Sequence, residues 1–140
     1  MKISARVESR YGEHQTTLTT DGNSHALDIP PRTSGFGSSA NGGELLFLAL
    51  ATCYCNDIYR EAAKRGITVE QVEVEVDGQF GADGEPATHV TYRARVVAQA
   101  AESEIRELIE DTDALAEIQN TLRVPTPVSL DYIEAITAQS

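Results

Sequence analysis

The run NGGELLFLALATCYC, from Asn41 to Cys55, decides how the rest of the chain is read. Asn41 can accept from the orphan amides at a helix start, and Glu44 three residues on completes a capping-box pair. The helix so opened is expected to run to about Arg65, with Gly66 turning the chain out of it. From Leu45 to Cys55 it is apolar on nearly every side, a pattern that demands burial all round. A domain of 140 residues has little interior to enclose such a helix, so a subunit interface is expected to cover it. From Asp57 to Arg65 the pattern becomes amphipathic.

Strands are expected on the N-terminal side. Ile3, Ala5 and Val7 alternate with polar residues, and Gly12 separates them from a threonine-rich stretch, His14 to Thr20. Asp21-Gly22-Asn23 is a turn signal leading to a third strand, about Ser24 to Asp28. Pro30 and Pro31 end the pairing, and Thr33 to Gly43 reads as a Gly- and Ser-rich loop.

A hairpin is expected on the C-terminal side. Val72, Val74, Val76 and Phe80 alternate with acids, while Val90, Tyr92, Ala94, Val96 and Ala98 alternate with Thr91, Arg93, Arg95 and Val97. Folding the two runs about Gly84 sets Glu75 opposite Arg93 and Glu73 opposite Arg95, with Val76 facing Tyr92 and Val74 facing Ala94. The charged ladder is a solvated face, not a catalytic one. A second helix is expected over Glu102 to Glu110. Asp111-Thr112-Asp113 would interrupt it and cap a short third helix through Gln119. Val124-Pro125-Thr126-Pro127 is extended, and Val128, Leu130 and Tyr132 alternate as a closing strand. The class is α+β, and no interior linker divides residues 1–140, which are expected to form one domain.

Charge narrows the partners. Eleven basic residues oppose twenty-two acidic ones, for a net charge of -11. Such a surface repels phosphate backbones and anionic lipid, so nucleic-acid and membrane binding are not expected. The balance of two lysines against nine arginines fits either a saline habitat or GC-rich codon usage. The run Leu45 to Asn56 is too short to cross a bilayer, and the N-terminus has no continuous apolar stretch of the signal-peptide kind, so a cytoplasmic location is expected.

Few residues carry obvious chemistry. His14, His25 and His89 lack ligand spacing, and no nucleotide, zinc-protease or serine-hydrolase motif occurs; no metal or other cofactor is expected. Cys53 and Cys55 leave a helix about 200° apart, too far around the axis to form a disulfide. Cys53 shares its face with Asp57 and Arg60, which push a thiol in opposite senses. From spacing alone it is either a reactive thiol or a small core side chain.

The stretch Asn41 to Cys53 resembles the signature helix of the OsmC/Ohr family, the osmotically inducible and organic hydroperoxide resistance proteins. Their pattern there is P-E-E-L-L-x-A-A-L-A-x-C, and the order of elements is similar over nearly the whole chain. Pro127-Val128-Ser129 is similar to the end of the family's C-P-V-S motif. The resemblance implies an OsmC-like fold, antiparallel sheets around a long central helix, in an intertwined homodimer. It also implies a peroxidatic cysteine that attacks a hydroperoxide, a second cysteine that resolves the sulfenic acid, and a thiol or dithiol reductant.

Carried onto this chain, the peroxidatic cysteine falls on Cys53, but the second cysteine falls on Thr126. The first glutamate of the motif falls on Gly43, leaving Glu44 as the match to the second, and Arg10 before Gly12 is the candidate activating arginine. The expected function is therefore a one-cysteine hydroperoxide reductase, with Phe36, Phe47 and Tyr54 lining an apolar pocket. The alternatives are a non-catalytic dimer that binds a small apolar ligand and a single-cysteine redox sensor.

Overall fold

A computed structural model of the chain describes residues 1–139. The fold is α+β, with elements β1 (Ile3–Arg10), β2 (Glu13–Thr20), β3 (Asn23–Ala26), α1 (Gly42–Lys64), β4 (Thr68–Gln79), β5 (Thr88–Gln99), α2 (Glu102–Leu115) and α3 (Glu117–Leu122). Both sheets are antiparallel or hairpin-built: β1-β2-β3 in one and β4-β5 in the other. Residues separate into two compact units, Met1–Ala49 with Asp77–Val90, and Leu50–Val76 with the chain from Thr91 onward.

In the first unit, β1 pairs with β2 from Ile3 opposite Thr20 to Arg10 opposite Glu13, and β2 pairs with β3 from Thr17 opposite Ala26 to Thr20 opposite Asn23. Asp21 and Gly22 join β2 to β3 with φ of 47° and 83°, the pair of positive values that a tight hairpin turn requires. The side chain of Asp21 also accepts from the Lys2 backbone N–H at 2.8 Å, tying the turn to the chain start. Asn41 and Glu44 form the reciprocal cap: Glu44 N–H donates to Asn41 Oδ1 at 2.8 Å and Asn41 N–H to Glu44 Oε1 at 3.0 Å. Phe47 and Phe80 stack with centroids 5.9 Å apart. Their rings lie where side chains at Gly43 and Gly78 would begin: a Cβ at position 43 would stand 2.7 Å from Phe80, and one at position 78 would stand 2.5 Å from Phe47.

The second unit holds the core. Tyr54, Ile58, Ala62, Leu108 and Ala116 are buried together, with Ile67, Val69, Val72, Val74, Tyr92, Ala94, Val96 and Ile109 packed against them. Residues 50, 54, 58 and 62 recur every four positions, so one stripe of α1 faces this core. The α1 helix ends at Gly66 (φ 68°), where the Ile67 N–H reaches back to the Ala62 carbonyl at 2.9 Å. The Arg93–Glu75 ion pair (2.8 Å) matches the expected hairpin pairing, while Arg95 donates to Gln71 at 3.2 Å.

Three expectations need correction. The second helix does not break at Asp111; α2 continues to Leu115. Thr112 is fully buried and donates to the Leu108 carbonyl at 2.7 Å, one turn back, instead of competing for a cap. Asp113 does not cap the third helix: α3 starts after Ala116, and the Asp113 carboxylate accepts from Tyr92 and Arg123. The closing strand does not form. Among the described residues, those from Val124 to Gln139 have no regular structure, and Val128, Leu130, Tyr132, Ile133 and Ile136 are 74–94% exposed. Alternation makes a strand only where the segment meets a sheet edge, and this segment pairs with neither sheet. In the first half of α1, Leu48 is 57% exposed in the single chain.

Candidate functional site

The ionisable residues around Cys53 come from two elements of the second unit. One face of α1 carries Cys53, Asp57 and Arg60, at the i, i+4 and i+7 spacing that aligns side chains along a helix. The short α3 lies against this face. Its buried Gln119 donates through Nε2 to the Leu50 carbonyl at 2.9 Å, which sets Glu117 beside the thiol.

Cys53 Sγ donates to Asp57 Oδ2 at 3.5 Å and lies 3.7 Å from Glu117 Oε2. Arg60 closes the group. Its guanidinium reaches Asp57 at 3.1 Å, Glu117 at 2.8 Å and Glu61 at 2.7 Å, and Lys64 adds a second cation on Glu61 at 3.0 Å. The carboxylates of Asp57 and Glu61 are buried, whereas Glu117 is exposed.

The electrostatics follow from this arrangement. Burial pushes the Cys53 thiol up from its ordinary value; the Ile118 backbone N–H pulls it down, and the carboxylates of Asp57 and Glu117 add to the rise. Burial also raises Asp57, helped by the neighbouring Glu117. Glu117 is held at about 2 by its own backbone N–H, by Arg60 and by Asp57. Two like carboxylates in contact thus separate, with Asp57 the better proton holder. Sγ of Cys53 and the carboxylate oxygens of Asp57 and Glu117 lie within 4.8 Å of one another, a spacing that a cation can bridge. The guanidinium of Arg60 already supplies positive charge to both carboxylates.

The other residues singled out from sequence are engaged elsewhere. Arg10 in β1 is exposed and pairs with Glu8 at 3.0 Å. Glu44 is committed to the α1 cap. Thr126 donates to the Thr121 carbonyl at 3.0 Å. Both cysteines are free and half-buried, and Cys55 lies beside Ala51, Thr52, Asn56 and Val74 along a shallow depression. The three aromatic residues expected to line one pocket each have a different partner: Phe36 meets Tyr11 edge-on, Phe47 stacks on Phe80, and Tyr54 packs against Tyr92. The face of Asp57 and Arg60 was legible from helical spacing. Glu117 was not, because it is 64 residues from Cys53 and no local pattern announces the contact.

Comparison with known proteins agrees with this architecture. The OsmC-like protein family matches residues 35–131. This chain belongs to the OsmC-like family. Its fold is similar to that of an OsmC-like protein from Mycoplasma pneumoniae (23% identity, 87% of this chain and 86% of that one, TM-score 0.58). It is also similar to an OsmC-like protein of unknown function from Vibrio cholerae (18% identity, 86% and 93%, TM-score 0.59). A third match is an organic hydroperoxide resistance protein OsmC from Legionella pneumophila (19% identity, 88% and 90%, TM-score 0.52). No curated protein sequence matches the chain. Among the described residues, no helix is long and apolar enough to cross a membrane.

Proposed function

We propose that the chain reduces organic hydroperoxides with one working cysteine, Cys53, and an external thiol as reductant. The observation that carries this reading is the setting of Cys53. The sulfur of Cys53, which the resemblance matches to the family's reactive cysteine, lies beside the carboxylates of Asp57 and Glu117, both of them paired with Arg60, instead of in the apolar core. In the reaction, the Cys53 thiolate attacks the terminal peroxide oxygen, the O–O bond breaks, and the departing alkoxide takes a proton to leave as an alcohol. Thr126 has no sulfur to condense with the sulfenic acid. One external thiol therefore forms a mixed disulfide with release of water, and a second frees Cys53 as the external disulfide leaves. The resemblance matched Arg10 and Glu44 to the groups that position and activate the thiol; here Arg10 pairs with Glu8 and Glu44 caps α1, and Arg10→Ala tests whether the peroxide step needs the arginine.

A homodimer belongs to the same proposal. The alternating residues Val128, Leu130 and Tyr132 are exposed and pair with neither sheet, and Leu48 on α1 is uncovered; a second copy would meet both needs. The expected mass in solution is twice the 15.1 kDa of one chain. A single-chain mass by light scattering removes the dimer.

The second reading, a non-catalytic dimer that binds a small apolar molecule, is favoured by the raised Cys53 thiol, since the thiolate is the nucleophile. Trapping separates the two. Cumene hydroperoxide with dimedone is expected to leave one sulfenic-acid adduct, on Cys53. No adduct, or one on Cys55 alone, supports the second reading.

A further inference from the structure

We infer that Glu117 is a gate on Cys53: held over the sulfur by Arg60, it keeps the side chain a thiol, and its withdrawal leaves Arg60 to favour the thiolate. The inference rests on reading Cys53 as the reacting group and adds the means by which that group is restrained.

The geometry supports two alternative pairings. With Glu117 in place, its carboxylate is 3.7 Å from Sγ and 2.8 Å from Arg60, so it repels a developing thiolate while occupying the cation that would stabilise one. On α1, Asp57 is beside the thiol and Arg60 is behind it, paired with Asp57 and Glu61, with Lys64 on Glu61; α3 contributes Glu117, which Arg60 also holds, and the backbone N–H of Ile118. Of the three carboxylates, Asp57 and Glu61 are buried on α1 and cannot leave without disturbing the helix. Glu117 is the movable one. Its side chain is 61% exposed and stands in the first turn of a six-residue helix. Removing its charge leaves Arg60 two anionic partners instead of three and takes one anion away from the sulfur.

Thiol alkylation tests the gate without any peroxide, so its failure is distinct from failure of the reductase proposal. In a Cys55→Ser background, the pH profile of iodoacetamide modification reports Cys53 alone. Glu117→Gln is expected to move the midpoint down by about one pH unit, the order expected for removing a charge at this distance in a partly screened site. The rate near pH 7 is expected to rise only about threefold, because a thiolate of lower basicity is a weaker nucleophile. Adding Arg60→Met is expected to reverse the shift. An unchanged midpoint in Glu117→Gln overturns the gate. So does a rate gain that persists with Arg60→Met, which marks simple exposure of the thiol. Absorbance titration of the Cys55→Ser protein gives an independent check: the Cys53 midpoint is expected above about 8.5, and a lower one contradicts the assignment.

Discussion

Gly43 is the position to which the resemblance carried a glutamate, and the structure gives a physical reason why a side chain there is not free. A Cβ at this position would lie 2.7 Å and 3.2 Å from two atoms of the Phe80 ring and 3.3 Å from Asn41 Oδ1. Ordinary carbon contacts are about 3.5–4.0 Å, so the ring must retreat by about 1 Å. The ring end can swing, since Phe80 is 53% exposed, but swinging breaks its stack on Phe47. Losing an aromatic pair costs about 0.5–1.5 kcal/mol. Against this, Gly→Ala within a helix gains up to about 1 kcal/mol, and less in the first turn, where residue 43 lies.

The two terms have opposite signs and similar size, so the background decides the outcome. In the wild-type chain, Gly43→Ala is expected to be neutral or to destabilise by up to about 1 kcal/mol. In a Phe80→Ala background, where the obstacle is gone, the same change is expected to stabilise by several tenths of a kcal/mol. Urea unfolding of the four proteins measures the coupling, expected at about 1 kcal/mol. Equal effects of Gly43→Ala in both backgrounds would refute the argument that Phe80 occupies the missing side chain's place. By the same logic, Gly43→Glu does not place a carboxylate here without displacing Phe80.

Further predictions concern the second unit. Leu108 is fully buried in the core, so Leu108→Ala is expected to cost about 2–5 kcal/mol, read as a lower urea midpoint with an unchanged slope. Burial opposes ionisation of Asp113, but hydrogen bonds from Tyr92 and Arg123 outweigh it and hold the carboxyl below its ordinary value. A depressed folded value means stability that is present above the unfolded value, about 4, and is lost as pH falls through the folded one. Asp113→Asn is therefore expected to lower the melting temperature at pH 7, with the gap from wild type narrowing below pH 4; a gap that widens in acid contradicts this. Gly66 has φ 68° at the end of α1, so Gly66→Ala is expected to destabilise by about 1 kcal/mol in the same urea assay.

What could be read in the chain and what could not divide along the range of the interactions. The Asn41–Glu44 cap, the exit at Gly66 and the Asp21-Gly22 turn depend on residues within a few positions of one another, and the local pattern carried them. The pairing of Glu75 with Arg93 was legible because two alternating runs agreed on one register. The α2 helix outlasted its expected end because distant partners decide the matter: Tyr92 and Arg123 occupy the Asp113 carboxylate that would otherwise serve as a cap. Glu117 joined Cys53 through the packing of α3 on α1, which no spacing rule encodes. The alternation of Val128, Leu130 and Tyr132 suggested a strand, but the segment pairs with neither sheet and stays exposed, because alternation does not say whether an edge will be met.

The account turns on Cys53, and the most direct measurement is turnover. Cumene hydroperoxide, with hydrogen peroxide for comparison, would be followed with dithiothreitol or reduced lipoamide as donor, wild type beside Cys53→Ser. Consumption of the organic peroxide that disappears in Cys53→Ser is the predicted result. Equal rates in the two proteins, or none above the uncatalysed reaction, would contradict the reductase proposal and direct attention to what the fold binds.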